Sequence, residues 1–177
     1  MSTWFPPETV ALMREIPREP DNQRFLLKAI GEAGRELMEE LYGITGREAD
    51  RRSADGWSYR LIAAHVRDNE EITVSYIERI LSRRNPHLEA LDPERVLDDP
   101  SSVNEDIDRL VSEFLYLRRQ TQYLLYDLTD RSWDRCGIHE YRGPITVLQL
   151  ARELNQHDLE HLWQVRRMRE GALNSRR

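Results

Sequence analysis

Leu150-Ala151-Arg152-Glu153-Leu154-Asn155-Gln156-His157-Asp158-Leu159-Glu160-His161-Leu162-Trp163-Gln164-Val165-Arg166-Arg167-Met168 is the stretch on which the fold turns. Leu150, Leu154, His157, His161, Gln164 and Met168 recur at three- and four-residue steps, the spacing that lines one face of an α-helix. Two imidazoles and an amide stand on that face where leucine would serve a plain core. Thr146 and Gln149 form a capping box just before it, and Ile145 and Leu150 occupy hydrophobic-staple positions. The helix is expected to run to about Glu170, with Gly171 past its end.

Three more stretches carry the same period. From Asp21, an expected N-cap, Leu26, Ile30, Ala33, Leu37 and Leu41 share a face, and Gly43 suits the C-terminal cap. Gly31 and Gly34 within it each cost roughly 1 kcal/mol of helix propensity relative to alanine, which predicts a neighbour packed closely against them. After a polar link, Gly46 to Gly56, Ser58 caps a second helix with Ile62, His65, Asn69, Ile72, Tyr76 and Ile80 inward, ended by Pro86. The stretch from Asn85 to Asp99, with Pro86, Pro93 and then Pro100, reads as a long crossing loop. Ser102 and Glu105 suggest a capping box for a third helix bearing Ile107, Leu110, Phe114, Leu117, Thr121, Leu124 and Leu128. Between Asp130 and Pro144 a loop with Trp133, Cys136, His139 and Gly143 is long enough to cover one end of the molecule.

The expected fold is therefore all-α: a four-helix bundle with a long crossover loop between helices two and three, the helix order left open. Residues 1–20, rich in proline, form a lead-in; 21–171 form the bundle; 172–177 form a tail. The 177 residues suit one domain. Lys plus Arg number 26 against 32 Asp plus Glu, a net charge of −6, which argues against a phosphate-neutralising surface and so against nucleic-acid binding. The single Cys136 has no disulfide partner, and no apolar run approaches a membrane span. With no secretory leader pattern, a cytoplasmic setting is expected.

His65, His157 and His161 carry the chemistry. An i, i+4 histidine pair on one helical face can grip one divalent ion, and His65 holds the equivalent inward position on helix two. Three neutral ligands leave the ion its full charge and open positions, as catalytic rather than sealed structural sites do. The plainer alternative is a set of hydrogen-bonded core histidines. His87 and His139 fall in expected loops and read as surface residues. His157, Glu160 and His161 also fit the inverted zinc-protease signature H-x-x-E-H, but the 16 residues after His161 leave little room for its distant acidic ligand. A di-iron site is excluded because the chain has no Glu-x-x-His.

Trp57-Ser58, then Ala63-Ala64-His65-Val66-Arg67-Asp68 and Glu70, with Arg142-Gly143-Pro144-Ile145 and His157-x-x-x-His161-x-x-Gln164, resemble the DinB/YfiT superfamily in order and spacing over about residues 21–170. The resemblance implies a four-helix bundle, often dimeric, with a divalent ion, nickel or zinc, on three histidines that map onto His65, His157 and His161. It also implies thiol-dependent chemistry in some relatives, such as bacillithiol transferases and mycothiol-dependent maleylpyruvate isomerase, while many members have no known activity. One departure is Leu61, where the family often carries a glutamate that completes a capping box.

The expected function is a metal-dependent enzyme, a thiol-dependent transferase or a hydrolase, whose bound water or low-molecular-weight thiol attacks a small-molecule substrate. Asp158 and Glu160 are the candidate catalytic carboxylates; Gln164, Glu70 and Asn69 are candidates to hold the ligand rings or touch substrate. The Trp133 to Gly143 loop is the expected rim of the pocket. Membranes and nucleic acids are not expected partners, and a homodimer is. The alternative is a non-catalytic dimeric or stress-associated binding bundle.

Overall fold

A computed structural model describes residues 20–90 and 105–174. Its helices are Pro20–Leu41 (α1), the single turn Gly46–Ala49 (α2), Tyr59–Ser82 (α3), Ile107–Tyr126 (α4), the turn Asp130–Trp133 (α5) and Val147–Asn174 (α6). Three short strands, His87–Leu88 (β1), Cys136–His139 (β2) and Gly143–Thr146 (β3), form one sheet, with β1 parallel to β2 and β2 antiparallel to β3. The four long helices are those the periodicity predicts. The strands are not predicted, because runs of two to four residues are too short to show alternation.

Both α1 and α3 pack on α4 and α6, so α1 and α3 face each other across the bundle. Arg67 near the start of α3 meets Glu113 near the start of α4, and Ile77 clusters with Leu125 further along both, so these helices run parallel. Likewise Arg166 of α6 holds Glu36 and Glu40 of α1, while Leu154 clusters with Ile30, so α1 and α6 run parallel. The order is up, down, down, up. Parallel α3 and α4 require the chain to travel back along the bundle between Ser82 and Ile107, the crossover that this long link was expected to supply.

Local signals fix the helix starts. Ser58 Oγ accepts from Leu61 N at 3.3 Å; Thr146 Oγ1 accepts from Gln149 N at 3.1 Å while Gln149 Oε1 accepts from Thr146 N at 2.9 Å, a complete capping box. Three expectations are corrected. Asp21 lies inside the first turn, since Pro20, with its preset φ, opens α1. Asp106, not Ser102, caps α4, its carboxylate accepting from Arg109 N at 3.2 Å; Ser102 lies outside the described residues. Gly171 does not stop α6, which continues to Asn174. Gly43 does follow α1 with φ 76°, the left-handed cap that glycine adopts without strain.

The core has two apolar clusters. One gathers Leu37, Leu41, Tyr59, Ile62, Phe114 and Val165; the other gathers Ile30, Ile77, Ile80, Trp133, Ile145 and Leu154, and the sheet covers it. Between them lies a charged layer. Arg118 of α4, 3% exposed, donates from Nε and Nη2 to Glu70 of α3 at 3.0 and 2.6 Å, and from Nη1 to Ile30 O of α1 at 2.5 Å. Nη2 also lies 2.7 Å from Asp158 Oδ2 of α6, an ion pair without hydrogen-bond alignment. Thr121 adds a hydroxyl bond to Glu70, and the Phe114 ring lies 4.7 Å beneath the guanidinium. One side chain thus touches all four helices.

Gly34 makes room for it. A Cβ there would sit 2.5 Å from Arg118 Nη1 and 3.3 Å from Phe114, as the two glycines in α1 led one to expect. At Gly31 a Cβ would meet only the amide end of Gln122, which can swing away. Gly31→Ala is therefore expected to be neutral or up to about 1 kcal/mol stabilising through helix propensity. Gly34→Ala is expected to lose about 1–3 kcal/mol net, because the guanidinium must leave a buried pair. Urea unfolding of both variants checks this; equal effects would show that the close approach is unimportant.

Candidate metal centre

The capped starts of α3 and α6 set the phase of each helix, and the antiparallel crossing brings His65 of α3 against His157 and His161 of α6. Their ligating nitrogens all lie within 4.8 Å of one another. His65 Nε2 and His157 Nε2 are 2.9 Å apart, and the three ring centroids are separated by 4.9, 4.9 and 4.5 Å. Trp57, just before the α3 cap, packs its ring 5.2 Å from His65 and 5.7 Å from His161. All three sequence-predicted ligands converge.

Burial drives the His157 imidazole well below its ordinary pKa, helped by His161, His65 and Arg118; burial also lowers His161, against the opposing bond to Gln164. Both rings are therefore neutral at pH 7, with a lone pair free to bind a cation. His161 Nδ1 lies 2.8 Å from Gln164 Oε1, which makes Nδ1 the N–H donor and leaves the lone pair on Nε2. Asn69 Nδ2 lies 3.3 Å from His157 Nδ1; turning that amide over presents Oδ1 to an N–H in the same way. Three imidazoles in a half-buried cleft, two of them neutral and beside amides, fit a divalent transition ion by ligand chemistry.

The sequence pattern of the DinB superfamily matches residues 29–165, a span that holds all three histidines. The chain belongs to the DinB superfamily. This DinB protein also shares its fold with YfiT from Bacillus subtilis, reported as a probable metal-dependent hydrolase with an unusual four-helix bundle topology: TM-score 0.76, 20% identity, 88% of this chain and 93% of that chain covered. No curated protein matches it.

Of the other expected site residues in this DinB chain, Asn69 and Gln164 touch imidazoles of the cluster and Glu70 does not. Glu70 is fully buried against Arg118 and Thr121. Asp158 is also fully buried and faces Arg118; burial pushes its carboxyl up to about 7, with Arg118 opposing and Glu70 adding to the rise. Glu160, half-buried, accepts from Gln156 Nε2 at 3.1 Å. His87 is exposed at the sheet, and His139 packs edge-on to Tyr76, their centroids 6.0 Å apart. That hairpin lies about 16 Å along α3 from His65, eleven residues at the helical rise, so the Trp133 to Gly143 segment is not the rim. Residues 51–55 and α6 enclose a separate surface hollow of ≈ 420 Å³ that none of the three histidines lines; Gln164, which bonds His161, stands in its wall.

Two contributors escaped the sequence reading as site residues. Trp57 was visible only as part of a motif. Arg118 had a usable signal, an arginine four residues after inward Phe114 and three before inward Thr121, hidden because Leu117 was placed on the stripe in its stead.

Proposed function

We propose that this DinB protein is a metal-dependent enzyme whose ion is held by His65, His157 and His161. The convergence of their ligating nitrogens within 4.8 Å is the observation that carries the reading. When bound, a divalent ion, nickel or zinc as the superfamily resemblance implies, supplies Lewis acidity that deprotonates water or a thiol near neutral pH. The chain's own residues prepare that chemistry. Gln164 and Asn69 fix the ring tautomers, and Trp57 shields one side of the cleft from water. Glu160, the carboxylate nearer solvent, is assigned proton transfer, and Asp158 the positioning of α6 through Arg118. A small-molecule substrate, a low-molecular-weight thiol as an alternative nucleophile to water, and a cytoplasmic homodimer complete the reading; these finer features rest on the superfamily resemblance. Gln164, bonded to His161 on one side and set in the wall of an open surface hollow on the other, is the feature that favours catalysis over a non-catalytic binding bundle.

Elemental analysis of protein purified without a metal-affinity column tests the assignment. Wild type is expected to hold about one equivalent of transition metal and His161→Ala essentially none, with helical circular dichroism retained. Full metal content in the variant, or none in wild type after zinc and nickel are added, overturns it.

A further inference from the structure

The ≈ 420 Å³ cavity at the C-terminal half of α6 is lined by Arg51, Arg52 and Arg167, together with Ser53, Asp55 and Gln164. Three arginines lining one hollow is unexpected in a chain of net charge −6. Two neighbouring cations of α6 are paired: Arg166 holds Glu36 and Glu40, and Arg169 holds Glu40. Among the described residues, none of the three cavity arginines forms an ion pair. Arg52 is anchored by donating to Gly56 O at 2.6 Å, which leaves the rest of its fork uncommitted. Asp55, the one carboxylate in the wall, is already engaged by the Ser53 hydroxyl and, at 3.4 Å, by Gln164 Nε2.

Gln164 joins this hollow to the histidines. Its Oε1 is 2.8 Å from His161 Nδ1, while its other amide atom faces Asp55 in the cavity wall. A molecule seated among the arginines is thus one side chain away from the imidazole cluster. Guanidinium forks match the paired oxygens of carboxylate and phosphate, and three of them against the single Asp55 carboxylate leave the hollow net positive, which concentrates such anions.

We propose that Arg51, Arg52 and Arg167 bind an oxyanion group, carboxylate or phosphate, of the small molecule that reacts at the three-histidine centre. The substrate is then an organic acid or phosphate ester whose charged end anchors away from the reacting atom, and Gln164 reports occupancy to a ligand ring. The link to reaction rests on the metal-enzyme reading; the anion site itself does not.

The test is calorimetric titration of wild type with succinate and, separately, inorganic phosphate at fixed ionic strength, repeated on Arg51→Ala/Arg167→Ala, on Arg119→Ala and on His161→Ala. Arg119 is an exposed arginine of α4 outside the cavity and serves as the charge control. Saturable binding of at least one anion is expected, weakened about tenfold or more in the double variant, as lost charge-assisted bonds should be, and unchanged in Arg119→Ala. The tighter of the two anions identifies the headgroup. Absence of saturable binding by either, or equal binding in the double variant, overturns the proposal. His161→Ala separates the two readings: anion binding retained there, with metal lost, supports the pocket independently, whereas a wild type that takes no metal yet binds anion removes the enzyme reading and leaves the pocket standing.

Discussion

Arg118→Met is expected to cost about 3–5 kcal/mol of unfolding free energy, because it leaves the carboxylates of Glu70 and Asp158 buried without a cation. The same substitution frees Ile30 O and removes a side chain that touches all four helices. Lost packing alone does not reach that size, since methionine fills much of the volume of the arginine stem. The pH dependence distinguishes the causes. Asp158 titrates at about 7 in the folded chain against an ordinary 3.8, so the folded state holds the proton more tightly. For a carboxyl raised in this way, stability falls as pH rises from about 4 towards 7 and is flat above. Removing Arg118 takes away the group that opposes the rise, so the deficit of the variant should be smaller at pH 5 than at pH 8. Urea unfolding of metal-free protein at both values measures it. A loss below about 1 kcal/mol at pH 8 would mean that water already solvates the layer and the buried pair carries little. If the charges are dispensable as a set, replacing Glu70, Arg118 and Asp158 together by apolar residues should recover much of what the single change loses.

What could be read from sequence followed the range of the interactions. Ser58 and the Thr146–Gln149 box are settled within three residues, and the phases of α3 and α6 rest on stripes several turns long; these local facts turn His65, His157 and His161 inward, and the packing of α3 on α6 then brings them together. Arg118 shows the opposite case. Its spacing from Phe114 and Thr121 turns it inward, but its partner Glu70 is 48 residues away and Ile30 is 88, so nothing near it in the chain says which groups match its charge. The rim of the cleft failed for a related reason. The length of the Asp130–Pro144 segment was read correctly as enough to cover an end of the bundle, but the end it covers is set by pairing of β2 with β1, which lies in the crossover link. The helix directions put that end opposite the Trp57 side, and directions are a property of packing that one sequence leaves open.

Adding zinc or nickel to metal-free protein is expected to raise its unfolding free energy by about 4 kcal/mol at a thousandfold excess over the dissociation constant, since the ligands converge only in the folded chain. For a chain of this length that is a rise of roughly 10 °C in melting temperature. The size of the rise should sort the site residues by what they touch. His65→Ala, His157→Ala and His161→Ala each remove one of three ligating nitrogens, and the metal-induced shift should collapse in all three. Gln164→Ala and Asn69→Ala leave the donor set whole but free a ring to rotate, so they should weaken affinity about 10- to 100-fold and keep a reduced shift that returns at higher metal concentration. Glu160→Gln touches neither ring nor ligand and should leave the shift unchanged while lowering turnover. This ordering is demanding, because adventitious binding of a cation to exposed carboxylates would ignore Gln164 and Asn69 altogether. An equal melting shift in wild type and His157→Ala would therefore show that the ion sits elsewhere, even if the overall stoichiometry were one.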